Sequence, residues 1–151
     1  MPVRAVVDTN LIVSAFLSPR GAPHALLAAL YAGAFRLVLS DPLRDEYARV
    51  LARPHLVRRF SLSADEVDAF FRFLTRRAQP VTLQSPLPIA VRDANDGHAL
   101  ATAFAGGADY LVTGDEDLLV LAGDARLGSL RIVRVQAFLE ALEGAQKSSP
   151  L

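Results

Sequence analysis

The sequence predicts an α/β fold in which a parallel sheet is covered by helices on both faces. Short apolar runs without polar alternation recur along the chain, as strands buried on both faces require. Longer segments with helical periodicity separate them, and strands alternating with helices imply parallel pairing. Apolar residues make up 52% of the 151 residues, enough for one sizeable core at single-domain length.

The elements follow in order. "VRAVV" (3–7) reads as the first strand. "LIVSAFL" (11–17) fits a strand or a helix by pattern alone. "SPRGAP" (18–23) is a loop by its Pro and Gly content, and "HALLAALYAG" (24–33) is a helix stopped by Gly33. "FRLVLS" (35–40) is the second strand. Ser40-Asp41-Pro42 supplies a side-chain cap and a first-turn proline for a helix over 43–53 that ends before Pro54. Ser63 to Glu66 forms a capping box for a helix over 65–78. "VTL" and "PIAV" are short extended pieces among prolines. "DGHALATAFAGG" (96–107) is a helix with a glycine end, and "DYLVT" (109–113) is a strand. A turn and short helix occupy 114–123, the last strand is "LRIVRV" (130–135), and "QAFLEALEG" (136–144) closes the fold. Residues 145–151 read as a disordered tail, so 1–144 form a single domain without repeat or linker.

Composition excludes several function classes. The chain has no cysteine, which removes disulfides, thiolate nucleophiles, Fe–S clusters and cysteine zinc sites. It has neither a membrane-length apolar run nor a basic-then-apolar leader, so a cytoplasmic setting is expected. The formal net charge is zero, which argues against indiscriminate nucleic-acid binding. The charge is nevertheless unevenly spread. Seven arginines lie between Arg49 and Arg77, and seven acids with no Lys or Arg lie between Asp93 and Asp124. For any single charge, a solvated helix face is the plainer explanation.

The acids fall where a parallel sheet places its ligands, beyond the carboxyl ends of strands. Asp8 ends the first strand, within "AVVDTNLIVSAF". Glu46 sits a turn into the helix after strand two, Asp93 and Asp96 open the "HALATAF" helix, and Asp115 and Asp117 follow "YLVT". Each has a bland reading as a cap, a turn residue or a solvated side chain. Asp8 resists it, because a carboxylate at the end of a core strand needs a partner. His24, His55 and His98 lack metal-ligand spacing. Carboxylates gathered at one edge repel, by about 4 kcal/mol per pair at ~4 Å and an effective dielectric near 20. A cation offsets this, and all-oxygen ligands suit Mg²⁺ or Mn²⁺ rather than zinc.

"VVDTNLIVSAF", "LRDEYARVLARP" and "RDANDGHALATAFAGGADYLVTGDEDLL" together resemble the PIN domain family. Within it they resemble the bacterial and archaeal branch described as toxins of toxin–antitoxin systems (VapC-like). The likeness spans nearly the whole chain, with four motifs in order. It implies a three-layer α/β/α sandwich around a central parallel sheet, and a metal-dependent endoribonuclease using Mg²⁺ or Mn²⁺. Carried over by motif, the catalytic acids are Asp8, Glu46, Asp96 and Asp115, and the metal ligands Asp8, Asp96, Asp115 and Asp117. Thr9, Asn10, Ser14 and Thr113 occupy positions that support the acidic pocket. Many relatives read R-D-P before the third acid, where this chain has Arg92-Asp93-Ala94. That departure leaves Asp93 as a rival to Asp96, which is preferred because it stands four residues before Leu100.

The resemblance implies an RNA substrate, a cognate antitoxin and a homodimer, and the alanine- and leucine-rich helices point to self-association as well. Arg53, Arg58, Arg59, Arg76 and Arg77 are candidates for phosphate contacts. Two other classes compete. One is a non-catalytic binding module whose acids only cap helices. The other is a phosphatase or phosphotransfer domain with Asp8 as nucleophile, but Asn10 stands where a second close acid belongs and the one lysine, Lys147, lies in the tail.

Overall fold

The computed structural model describes residues 2–60, 62–83 and 94–147. Its strands are β1 (Arg4–Val7), β2 (Arg36–Ser40), β3 (Gln79–Val81), β4 (Tyr110–Val112) and β5 (Arg131–Val133). They form one sheet in the order β3-β2-β1-β4-β5, parallel throughout. The helices are α1 (Thr9–Leu17), α2 (Ala22–Tyr31), α3 (Asp41–Leu51), α4 (Pro54–Phe60), α5 (Ala64–Arg77), α6 (Ala94–Gly106), α7 (Glu116–Leu119) and α8 (Val135–Lys147). The arrangement is a three-layer α/β/α sandwich. β1 is central, and the chain leaves it first towards β2 and β3 and later crosses to β4. The strand order therefore reverses between β1 and β4, and the crevice beyond their carboxyl ends is where this architecture places ligands.

Local chemistry explains most boundaries. "LIVSAFL" is a helix because Asp8 caps it, its Oδ1 accepting from the Thr9 amide at 2.9 Å. α2 begins at Ala22, so the expected loop is shorter. Pro23 lies in the first turn, where its missing N–H is no loss. Just past the C-cap of α2, Ala32, Gly33 turns the chain out of the helix, its φ of 79° letting the Ala34 amide reach back to the Ala29 carbonyl at 2.9 Å. Ser40 caps α3 through the Leu43 amide at 3.3 Å, and Ser63 caps α5 through the Glu66 amide at 3.3 Å.

Three elements depart from the sequence reading. α4 was not expected, because Pro54 reads as a stop for the preceding helix and equally serves as the first residue of the next. Of "VTL", only Val81 pairs, and the ladder instead takes in Gln79 and Pro80. Proline is tolerated there because β3 is an edge strand. α8 runs past Gly144 to Lys147, absorbing the start of the expected tail. "PIAV" and residues 148–151 lie outside the described residues.

The core is continuous across the sheet. Ala5, Val6 and Val7 of β1, Leu37 and Val38 of β2, and Leu111 and Val112 of β4 are wholly or almost wholly buried. Phe138 clamps α8 to the sheet, edge-on to Phe35 at 5.0 Å and to Tyr110 at 5.2 Å. Burying such a ring contributes about 1.5–3 kcal/mol, and each edge-on pair about 0.5–1.5 more. α6 lies close to the sheet because of Gly106, where a Cβ would stand 2.4 Å from Val38 Cγ1 and 3.1 Å from Val81 Cγ1. Among the described residues, the exposed large apolar side chains are Tyr31, Val57 and Val120. No described helix is long and apolar enough to cross a membrane.

Candidate functional site

The β1–β4 crevice carries a buried carboxylate pair. Asp8 is 5% exposed and Glu46 is 5% exposed. Asp8 stands at the end of β1, and its amide extends the ladder to the Val112 carbonyl at 2.9 Å. Thr113, fully buried at the end of β4, donates its hydroxyl to Asp8 Oδ2 at 2.7 Å and accepts the Asp115 amide at 3.0 Å. On the other side, the Thr9 hydroxyl donates to Glu46 Oε2. One chain of contacts thus runs from Asp115 through Thr113, Asp8 and Thr9 to Glu46.

Glu46 reaches the crevice because α3 starts at the carboxyl end of β2. The next residue, Tyr47, points its hydroxyl at the Val7 carbonyl and fixes the roll of the helix. A second tether holds α3 against α6. Thr102 Oγ1 donates to the His98 carbonyl at 2.6 Å, which commits its proton. Ser40 must then donate to Thr102 across 2.7 Å. This register brings His98 Nδ1 to 3.5 Å from Glu46 Oε1. Neither atom has a hydrogen-bond partner, although both are buried.

Electrostatics at Asp8 are unfavourable to its charge. Burial pushes its carboxyl above the ordinary 3.8, and the charges of Glu46 and Asp115 push the same way. The bonds from Thr113 and Thr9 only partly counter this. The Tyr47 phenol is raised well above its ordinary value, first by burial and then by Asp8 and Glu46. Among the described residues, no Lys or Arg pairs with either buried acid. Two carboxylates without a cationic side chain are a poor structural device, since unpaired buried charge costs several kcal/mol.

The donor set fits a hard divalent cation. It is all-oxygen at the acids, negatively charged, and includes the unpartnered Glu46 Oε1. Among the described residues, no group of three His, Asp or Glu side chains forms a complete ligand set. The backbone of Asp96 lies in the first turn of α6, but its side chain, like the whole of Asp93, is outside the described residues.

The structure brings Asp8, Thr9, Glu46, Thr113 and Asp115 together. Asp117 is exposed, and its amide donates to Asp115 Oδ1 at 2.8 Å as part of the α7 cap. Exposed Asn10 and half-buried Ser14 make no side-chain hydrogen bond to these acids among the described residues. Sequence reasoning missed Tyr47 and passed over His98. A signal for Tyr47 was its place beside Glu46. His98 gave none beyond nearness to the acids, because its partner comes from another helix.

Comparison with known proteins gives a family and a likeness of fold. A family model described as "PIN domain" matches residues 4–117. Among solved structures, the chain is similar to the crystal structure of PAE2754 from Pyrobaculum aerophilum. Sequence identity is 17% and the TM-score 0.51, over 94% of this chain and 90% of that one, a likeness of fold. No curated protein matches.

Proposed function

The chain belongs to the PIN domain family, whose members are generally nucleases, and on that premise we propose that it is an endoribonuclease dependent on Mg²⁺ or Mn²⁺. The observation that carries the reading is the buried Asp8–Glu46 pair, which has no Lys or Arg counter-charge among the described residues and leaves Glu46 Oε1 open. Asp8, Asp96, Asp115 and Asp117 are assigned to hold the cation, with Glu46 completing the acidic set. Held there, such a cation would supply Lewis-acid charge to the scissile phosphodiester and would lower the pKa of a water bound to it, so that hydroxide would be available at neutral pH.

The chain's own residues prepare the site. Thr113 and Thr9 hold both Asp8 oxygens in one orientation. Thr9 also fixes one Glu46 oxygen and leaves the other directed at His98. Asn10, where a second close acid belongs, and the placement of the one lysine, Lys147, in the tail disfavour the phosphotransfer alternative. Capping alone does not account for Glu46, which lies inside α3 rather than at its start.

The resemblance to the toxin branch supports a cytoplasmic toxin with a cognate antitoxin and a homodimeric working form. The cleft of about 410 Å³ between α3 and α5, lined by Leu51, Val57, Leu62, Val67 and Phe71, is apolar enough to serve self-association. Sedimentation across micromolar concentrations tests the dimer, and a monomer throughout would remove it. The activity is tested by incubating purified protein with structured RNAs in Mg²⁺ or Mn²⁺ and in EDTA. Cleavage with metal and none with EDTA is expected. Intact RNA in all three, with no metal-induced rise in melting temperature, would leave a non-catalytic module.

A further inference from the structure

A second cavity, of about 470 Å³, lies at the opposite end of the sheet. Arg36 enters it from the start of β2, and Arg76 and Arg77 enter from the last turn of α5. Tyr31, at the end of α2, and Phe73 form its aromatic side, and Gly33 leaves its rim open. The acids stand beyond the carboxyl ends of the strands, whereas Arg36 is at the amino end of β2. Arg76 and Arg77 therefore cannot serve the acidic crevice, and α5 instead gathers them with Arg36.

Three features make this a built site rather than a solvated face. The side chains of Arg36, Arg76 and Arg77 form no ion pair or hydrogen bond with another described residue. Among the described residues, no acid lines the cavity; Glu66 acts on Tyr31 from an adjoining cleft. Tyr31 is held edge-on by Phe73 at 4.9 Å and yet is 45% exposed, so a fixed ring remains open to a ligand. Planar guanidinium forks suit phosphate oxygens, and an exposed aromatic ring beside them suits a base of a single strand.

We infer that this cavity binds one nucleotide unit of single-stranded RNA, its phosphate on Arg36, Arg76 and Arg77 and its base on Tyr31. The site acts as an anchor remote from the acidic crevice. It depends on the nuclease reading only for the choice of RNA as ligand, and it is tested without metal, so the two can fail separately.

The probe is a fluorescein-labelled, mixed-sequence oligoribonucleotide of about 12 nucleotides, followed by anisotropy in EDTA over a salt series. R36Q/R76Q/R77Q should bind about ten-fold more weakly or worse. Its slope of log affinity against log salt should be shallower by about 0.7, the value for one phosphate of a single strand. Tyr31→Leu should lose about five-fold or more with the slope unchanged, and Tyr31→Phe should bind as wild type. Circular dichroism melts verify that each variant is folded, and single Arg36→Gln and Arg77→Gln variants replace the triple variant if it is not. Wild-type affinity and slope in the arginine variants would overturn the inference. So would equal binding by Tyr31→Leu, which would mark a plain anion patch, or equal competition by pyrophosphate or a polyglutamate peptide. If these losses appear and wild type still does not cleave RNA with Mn²⁺, the anchor stands and the nuclease reading falls.

Discussion

Replacing Asp8 with Asn separates a metal ligand from a structural hydrogen-bonding residue. The side chains are nearly isosteric, so β1 packing is retained. The Asn oxygen can still accept from the Thr9 amide, and its NH₂ can donate to Thr113 Oγ1, which already accepts the Asp115 amide at 3.0 Å. What is lost is the charge-assisted bond from the Thr113 hydroxyl. Bonds to charged groups contribute about 1.5–3 kcal/mol and neutral ones about 0.5–1.5, so the loss is about 1 kcal/mol. What is relieved is burial of the charge and its repulsion by Glu46 and Asp115. The raised carboxyl pKa says that these outweigh the hydrogen bonds. In EDTA the variant should therefore melt at or slightly above wild type, within about 1 kcal/mol, or about 2–4 °C at this chain length. The pH dependence follows in sign. In wild type this group's contribution to stability is fully present below the unfolded value of 3.8 and is lost as pH rises through the higher folded value. The variant lacks that loss, so its advantage should grow towards neutral pH and vanish in acid. Mn²⁺ at a hundred times its Kd should stabilise wild type by about 2.7 kcal/mol, and the variant by much less. Scanning calorimetry in EDTA and in Mn²⁺ reads all three. Melting more than about 10 °C below wild type in EDTA would refute the reasoning.

Thr113→Val keeps the shape but strips partners from Asp8 Oδ2 and the Asp115 amide; urea unfolding should show a loss of about 1–3 kcal/mol. Asp115→Asn should reduce Mn²⁺-dependent cleavage more than Asp117→Asn, because Asp115 sits nearer the fixed strand end; the reverse order in a cleavage assay would exchange their assignments. Gly106→Ala drives a methyl into Val38 and Val81 and should destabilise by about 1–3 kcal/mol, measured by thermal melting with the far-ultraviolet spectrum retained. Glu46→Gln preserves the bond from Thr9 and should leave the EDTA melt nearly unchanged while lowering the Mn²⁺-induced rise.

Much of this could be read from the chain because the decisive signals are local. Asp8 follows an unbroken apolar strand, and Ser40 and Ser63 announce their helices through side-chain caps. α4 escaped because Pro54 bears two meanings, and only the packing of its neighbours decides between them. Asp8 and Asp115 were legible as residues beyond strand ends. The wiring of the crevice was not, since Thr9 bonding to Glu46 and Thr102 holding α6 to Ser40 join segments distant in sequence. For the same reason Arg76 and Arg77 could be noticed as charges but not placed, until α5 carried them to the end of the sheet remote from Asp8.

The amides that anchor the acidic crevice belong to two regimes of motion. Those of Asp8 and Thr113 are tied into the central ladder, to the Val112 and Val133 carbonyls, and hydrogen exchange there should require opening of the whole molecule. Asp115 instead caps the four-residue α7, a unit small enough to fray on its own. One wall of the crevice thus keeps the clock of global unfolding while the other can open and reclose many times within it. Heating or mild denaturant should loosen Asp115 first, with Asp8 and Thr113 still locked in register, and the crevice would lose a wall before the sheet loses a strand.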